Sequence, residues 1–150
     1  MDALDRKILT ALQANARASL QEIGNAVGLS SSPCWERIRK MEAAGVIEGY
    51  TVRLNAQALG LADTVLVQLT LDSHTDNTLE KFGETLAAIP EVIEAYLVSG
   101  EYDYLLRVAV KDTRDYERLL REKLYKIKGI RHSKSSFVLR TLKKADLPLL

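Results

Sequence analysis

The 150-residue sequence predicts an α+β protein built of two parts, because the spacing of its hydrophobic residues changes along the chain. Up to about residue 47 the hydrophobic positions recur every three or four residues, which is typical of amphipathic helices. From residue 64 onward, stretches that alternate hydrophobic and polar residues are interleaved with helical stretches. The sequence therefore predicts a helical first part and a mixed second part that contains a sheet.

Two helices are predicted before residue 28. Asp2 is placed to cap the first helix, whose hydrophobic side recurs at helical spacing from Leu4. The second helix begins with Ser19–Glu22, a capping box in which the serine hydroxyl serves the glutamate N–H and the glutamate side chain returns to the serine N–H. Gly28 can adopt the left-handed conformation that ends a helix.

A third helix is predicted to begin within residues 30–33, where serines and a proline suit a helix start without deciding which serine caps it. Its buried side is expected at Cys34, Ile38 and Met41. Residues 46–53 predict a short hairpin. Two short helices joined by about four residues and followed by a hairpin are typical of a winged helix-turn-helix. We assign it to residues 1–53, with a linker at 54–62.

Residues 63–150 predict a ferredoxin-like domain. Its strands are expected at 64–71, 92–98, 104–110 and 133–142, and its helices at 75–89 and 113–127. The resulting order, β-α-β-β-α-β, is that of the ferredoxin-like fold. In the last strand Ser133 and Ser135 are expected on one face and Lys134 and Ser136 on the other, because side chains alternate along a strand.

Composition excludes several classes of protein. The formal net charge of +1 argues against gripping nucleic acid by bulk charge, although a local basic patch remains possible. Cys34 is the only cysteine, so an intramolecular disulfide and a cysteine metal cluster are excluded. His74 and His132 are far apart, and we expect no metal, no cofactor and no catalytic constellation. Residues 1–10 lack a signal-peptide pattern, and no hydrophobic run suits a membrane span, so a cytoplasmic protein is expected.

Five segments in the expected order resemble the Lrp/AsnC (feast/famine) family of transcriptional regulators. They are residues 4–9, 27–30, 33–38, 45–50 and 97–104. Each motif is weak alone, but together they cover essentially the whole chain. The tryptophan at position 35 is unusual for the family.

This resemblance implies a DNA-binding regulator that is not an enzyme. Its N-terminal winged helix-turn-helix would bind double-stranded DNA. Its ferredoxin-like domain, of the RAM type, would form a homodimer that assembles into a tetramer or octamer and would bind a small amino-acid effector between protomers. We expect control of amino-acid metabolism genes. The alternative is an architectural DNA-wrapping protein without a physiological ligand.

The third helix is the candidate DNA-binding element. Serines and helix-terminal N–H groups can hold phosphates, and an arginine can read the O6 and N7 atoms of guanine. The candidate residues are Ser31, Ser32, Trp35, Glu36, Arg37, Arg39 and Lys40. From spacing alone a solvated helix face is equally plausible, and Arg37 could instead pair with Glu36 or Glu42. Trp35 could pack against the first helix or lie exposed against DNA.

The turn before the third strand is the candidate effector site. Asp103 or Glu101 could accept the ammonium of an amino acid, and hydroxyls or N–H groups could hold its carboxylate. The candidate residues are Ser99, Gly100, Glu101, Tyr102, Asp103, Tyr104, Ser133 and Ser135. Without the resemblance, the favoured interpretation is a tight hairpin whose aspartate caps its own turn. The two tyrosines could line the pocket or pack at a subunit interface.

Overall fold

The computed structural model describes residues 1–73 and 76–144, except for the side chains of 76–78. His74 and Thr75 lie outside the described residues. The chain divides into two compact units. One is Met1–Arg53, with which Lys143 and Lys144 are grouped, and the other is Leu54–Leu142. The segment assigned as a linker is therefore grouped with the second unit.

The first unit consists of three helices, α1 (Ala3–Ala14), α2 (Leu20–Val27) and α3 (Ser31–Ala43). Asp2 caps α1 as predicted, and the cap is reciprocal. The Asp2 carboxylate accepts a hydrogen bond from the Asp5 N–H at 2.9 Å, and the Asp5 carboxylate accepts one from the Asp2 N–H at 2.8 Å. Both donors would otherwise lack an intrahelical partner, so the start of α1 is secured by its own side chains.

The turn between α2 and α3 is tight. The predicted capping box is confirmed, since the Ser19 N–H donates to Glu22 at 2.7 Å and the Glu22 N–H donates to the Ser19 hydroxyl at 3.2 Å. Gly28 ends α2 with φ +78°, as expected of a left-handed cap. The Leu29 carbonyl approaches Gly24 so closely that a Cβ there would lie 2.5 Å from its oxygen. Glycine at position 24 therefore permits this helix-turn-helix geometry.

The core of the first unit joins all three helices. The predicted buried side of α3 at Cys34, Ile38 and Met41 is confirmed. It packs with side chains of α1 and α2 that include Ile8 and Ile23, which are 0% and 2% exposed. Burial of such side chains contributes about 1.5–3 kcal/mol each. The core therefore fixes which side of α3 faces outward.

The hairpin predicted at residues 46–53 is wrong, because none of these residues lies in a strand. The N–H groups of Val46 and Ile47 instead donate to the Met41 carbonyl at the end of α3, at 2.9 and 3.2 Å. These donors are therefore unavailable to a strand ladder. Val46 and Val52 remain 47% and 73% exposed, so a lone hairpin would have little hydrophobic packing to stabilise it.

The second unit is a four-stranded antiparallel sheet with helices on one face. In chain order its elements are β1 (Asp63–Leu71), α4 (Asp76–Ala87), β2 (Val92–Leu97), β3 (Tyr104–Val110), α5 (Thr113–Glu122) and β4 (Ile130–Phe137). The strand order across the sheet is β2-β3-β1-β4. The predicted ferredoxin-like fold is confirmed.

The central strand β1 shows the predicted alternation. Val65, Val67, Leu69 and Leu71 are at most 1% exposed and pack with hydrophobic side chains of α4 and α5. The last strand begins earlier than predicted because it follows β1, pairing Ile130 with Leu71 at one end. The predicted last helix is also interrupted. It ends at Glu122 and continues after one residue as a 3₁₀ turn, Leu124–Lys126.

Candidate nucleic-acid interface and candidate effector pocket

The exposed side of α3 gathers most of the predicted DNA-binding residues. At about 3.6 residues per turn, Ser32, Glu36 and Arg39 lie opposite the buried side of the helix. Trp35 and Lys40 flank them, and all five side chains are exposed. Ser31 is also exposed and stands at the helix start. One helix face therefore carries hydroxyl, cationic, acidic and aromatic groups directed away from the core.

The start of α3 is open to an anion. Ser30 occupies the cap position with an extended backbone, but its side chain makes no capping hydrogen bond. Ser30 is therefore the cap residue of α3 by its position, although its hydroxyl does not cap the helix. Helix N-termini carry free N–H groups and a partial positive charge, and the hydroxyls of Ser31 and Ser32 lie beside them. This end of the helix has the chemistry to hold a phosphate.

Arg37 does not lie on the exposed face. Its Nη1 atom is 2.7 Å from Asp2 Oδ2 and 2.7 Å from Asp5 Oδ1, at the start of α1. The partners are neither Glu36 nor Glu42. The Asp5 N–H, followed by the Arg37 guanidinium, lowers the pKa of Asp2 to about 2. Arg37 therefore ties α3 to α1, and its expected place among the DNA-facing residues is corrected.

Trp35 is nearly half exposed, at 48%, and does not belong to the hydrophobic core. The guanidinium carbon of Arg39 lies 5.2 Å from the centroid of its ring, within the range of a cation–π interaction. Of the two alternatives for Trp35, packing against the first helix or lying exposed, the structure therefore shows the exposed one.

Asp103 holds the turn of the candidate effector site to the neighbouring strand. Its carboxylate accepts a hydrogen bond from the Leu71 N–H at 2.6 Å, and its own N–H donates to the Leu69 carbonyl at 2.9 Å. Its carbonyl accepts from the Val98 N–H at 2.9 Å. Asp103 therefore has a structural role, but its carboxylate holds the turn to β1, whereas the hairpin interpretation expected it to cap its own turn.

Tyr104 belongs to the core, so its expected place at an effector is corrected. It is 3% exposed, its hydroxyl donates to the Leu79 carbonyl at 2.5 Å, and its ring centroid lies 5.2 Å from that of Phe82. Burial, followed by the charge of Asp103, raises the pKa of Tyr104. This tyrosine ties β3 to α4.

Ser135 is engaged in a similar way. Its hydroxyl shares a hydrogen bond of 2.5 Å with the Tyr116 hydroxyl from α5. Ser135 therefore faces the helices, and its expected effector contact is corrected. Ser133 lies opposite Leu69 and Ser135 opposite Val67, both in the buried row of β1, so their predicted common face is confirmed.

A pocket of about 380 Å³ opens beside the turn. Three of the predicted effector residues line it, namely Glu101, Tyr102 and Ser133. Ser99 and Gly100 are exposed in the turn and do not line it. Four further residues complete the lining and were missed from the sequence: Gln68, Thr70, His132 and Lys134.

The register between β1 and β4 explains the missed residues. Gln68 lies opposite Lys134, and Thr70 lies opposite His132. All four belong to the rows that alternate with the helix-covered residues, so they share the sheet face turned away from the helices. The alternation of β1 was a usable signal for Gln68 and Thr70. Their partners depended on the strand register, which the sequence did not reveal.

The chemistry of the pocket suits a small ion of mixed charge. Glu101 supplies a carboxylate, Lys134 an ammonium, and Gln68 and Thr70 supply amide and hydroxyl groups. Over residues 1–73 and 76–144 the structure contains no group of three side chains able to hold a metal ion. No helix in that part of the chain is long and apolar enough to cross a membrane.

Comparisons with known proteins match both units. A family model of the AsnC-type helix-turn-helix domain matches residues 1–42, and one of the Lrp/AsnC ligand-binding domain matches residues 64–148. The leucine-responsive regulatory protein of Escherichia coli K12 is 37% identical over 146 residues, which are 97% of this chain and 89% of that protein.

Solved structures agree over nearly the whole chain. An AsnC family transcriptional regulator from Agrobacterium tumefaciens is 40% identical with a TM-score of 0.94, covering 99% of this chain and 97% of that one. A transcriptional regulator from Neisseria meningitidis, in complex with L-Met, is 31% identical with a TM-score of 0.93 and the same coverage.

Proposed function

This chain belongs to the Lrp/AsnC family of transcriptional regulators, and from that premise we propose that it binds operator DNA through α3 and responds to an amino acid held beside the turn at residues 99–103. Its targets are genes of amino-acid metabolism, and DNA as partner implies a cytoplasmic location. The observation that carries the proposal is that the chain has two chemically distinct surfaces, one on each unit. One is a helix face on which Arg39 and Lys40 lie near hydroxyl and aromatic groups and one carboxylate, and the other is a small pocket with both signs of charge.

DNA binding rests on the outward face of α3. The start of the helix and Ser31 and Ser32 offer phosphate contacts, while Arg39 and Lys40 offer cationic ones. With a net charge of +1, the helix-turn-helix unit of one chain, here called a head, binds DNA weakly. Two heads linked in an oligomer gain affinity because the second binds at a high effective concentration. The proposed function therefore needs more than one copy of the chain.

The sheet face turned away from the helices supports a homodimer. Leu66 and Tyr96 are 37% and 49% exposed on this face, and they lie opposite Arg107 and Leu105 of β3. Tyr96 and Leu105 in neighbouring strands, with Leu66 on the other side of β3, form an apolar patch of the kind that protein interfaces cover. We assign this face to a second copy of the chain, in a dimer that assembles further into a tetramer or octamer.

The effector assignment follows the lining of the pocket. Glu101 lines the pocket and Asp103 does not, so Glu101 is the better partner for the ammonium of an amino acid. Lys134 is the matching partner for its carboxylate. The complex of the Neisseria regulator with L-Met shows that a relative of this fold binds an amino acid. The effector acts here by binding one assembly or arrangement of heads more tightly than another.

The test is binding of the purified protein to the DNA fragment upstream of its own gene, compared with a random fragment at one stated salt concentration, without and with each of the twenty amino acids. We expect specific binding that one or a few amino acids shift. Glu101→Gln should abolish the shift and leave DNA binding without the effector unchanged. Glu84→Gln, an exposed residue of α4, is the matched control and should respond as the unmodified protein does.

Three other outcomes correct the proposal in different ways. Equal binding to both fragments with no response to any amino acid favours an architectural DNA-wrapping protein. Specific binding with no response removes the effector and retains the regulator. A response that survives Glu101→Gln removes the assignment of the ammonium partner.

A further inference from the structure

The two arginines of α3 lie two residues apart but have different partners. Nη1 of Arg37 lies 2.7 Å from each of two carboxylates. Arg39 instead lies over the ring of Trp35, at 5.2 Å from its centroid. Within the described residues, no carboxylate forms an ion pair with Arg39. Arg39 is thus oriented by an aromatic ring, which does not compete for its hydrogen-bond donors.

An arginine held over an aromatic ring remains able to recognise another group. The attraction acts between the cation and the ring face, whereas the five N–H donors of the guanidinium lie in its own plane. Two of them can therefore still donate together to a planar pair of acceptors. Holding the side chain in place before binding also reduces the entropy lost at an interface.

The position of the pair on the helix points to the bases. Trp35 and Arg39 are four residues apart, so they are neighbours on successive turns. Side chains on a helix lean toward its N-terminus, which carries the Arg39 head toward the first turns of α3. In helix-turn-helix proteins, residues near the N-terminus of this helix contact base edges in the major groove. Arg39 lies on the same side of α3 as Ser32, opposite the core and about two turns further along the helix.

We propose that Trp35 is a positioning residue that holds Arg39 to read a guanine through its O6 and N7 atoms. The proposal rests on the proposed function and adds to it a specificity-determining pair and the base it selects. Guanine is the base that offers two acceptors side by side in the major groove, which matches two arginine donors. A tryptophan ring is the strongest aromatic partner for the cation.

The experiment is selection of duplexes from a randomised pool by the full-length protein, followed by affinity measurements on the selected duplex and on duplexes in which each guanine is replaced. The variants are Arg39→Lys, Trp35→Leu, Trp35→Phe and the double variant Trp35→Leu with Arg39→Lys. Circular dichroism shows that each variant is folded. Lys40→Met is the control for a charge on the same helix.

Arg39→Lys keeps the positive charge but removes the planar guanidinium with its paired N–H donors. We expect it to lose the preference for one guanine in each half-site and to bind the selected duplex roughly tenfold to a hundredfold more weakly. Trp35→Leu should weaken the preference for that guanine, whereas Trp35→Phe, which keeps an aromatic ring, should retain most of it. The double variant should discriminate at this position no worse than Arg39→Lys alone, because Trp35 acts through Arg39. Lys40→Met should weaken binding to all duplexes alike and reduce the salt dependence.

Three results would overturn the inference. If the unmodified protein selects a sequence and Arg39→Lys selects the same one equally well, Arg39 does not read a base. If Trp35→Leu and Arg39→Lys lower discrimination additively, Trp35 touches DNA itself and does not position Arg39. If the unmodified protein selects no sequence, both this inference and the proposed function fail, which distinguishes that case from the other two.

Discussion

The candidate DNA-binding face and the candidate effector pocket are assembled in different ways. The face of α3 takes its chemistry from consecutive turns of one helix, so residues such as Ser32 and Arg39 share it by helical spacing alone. The pocket takes its lining from β1, the turn and β4, which are joined only by the register of the sheet. A site on one element is therefore visible in the sequence, whereas a site between strands is visible only in part.

Residues of the same type also have different roles within each region. Arg39 is exposed on α3, while Arg37 of the same helix pairs with Asp2 and Asp5. Tyr102 lines the pocket, while Tyr104 lies in the core. The residue type determines which interactions a side chain can make, and its neighbours in the folded chain determine which of them it does make.

The largest expected effect separates the two tyrosines of the turn. Tyr104→Ala removes a buried ring and should lower the free energy of unfolding by about 3–5 kcal/mol, as deletion of a core aromatic ring does. Tyr102→Ala should lower it by less than about 1 kcal/mol, because that side chain is only half-buried. Denaturant unfolding followed by circular dichroism measures both. Equal losses would contradict the assignment of Tyr104 alone to the core.

A smaller effect is expected at β4. Ser135→Ala removes the hydrogen bond to the Tyr116 hydroxyl and should cost about 1 kcal/mol of stability, measured by the same unfolding method. The response to the amino acid should be retained, because this hydroxyl faces α5. Ser133→Ala, on the same face of β4 as Ser135 and next to the pocket, provides the comparison. If Ser135→Ala no longer responds to the amino acid, this serine does contact the effector.

The smallest effect concerns acid stability of the first unit. The pKa of Asp2 is about 2 in the folded chain, below its ordinary value of 3.8. A carboxyl whose pKa is lowered by folding stabilises the protein above its unfolded pKa, and this contribution is lost as the pH falls toward the folded pKa. We therefore expect Asp2→Asn to lower the free energy of unfolding near neutral pH. Between about pH 4 and pH 2, the free energy of unfolding of this variant should fall less steeply than that of the unmodified protein.

The fluorescence of Trp35, the only tryptophan, can follow unfolding of this unit during acid titration. Glu48→Gln is the control, since it removes an acidic charge at an exposed position of the same unit. Coinciding curves for Asp2→Asn and the unmodified protein would show that the Asp2 charge, with its bonds to the Asp5 N–H and Arg37, contributes nothing measurable to stability.

The fold was largely predictable because its signals are local. Alternation along β1 and helical spacing in α3 each predicted a buried side that the structure contains. The hairpin at 46–53 was predicted wrongly because the N–H groups of Val46 and Ile47 bond to the end of α3, and Val46 and Val52 have no packed surface to bury them. The start of β4 was misplaced because pairing with β1, rather than the polarity of its own residues, sets the length of that strand.

By itself, the sequence determined the elements whose partners lie within a few residues. The caps at Asp2–Asp5 and Ser19–Glu22 each join residues three positions apart, so their geometry follows from the local chain. The tertiary structure alone decided contacts between distant segments. It placed Arg37 on the start of α1, and it placed Lys134 opposite Gln68. The physical reason is that helical spacing and caps act over one or two turns, whereas register and ion pairing between elements depend on how a whole core packs.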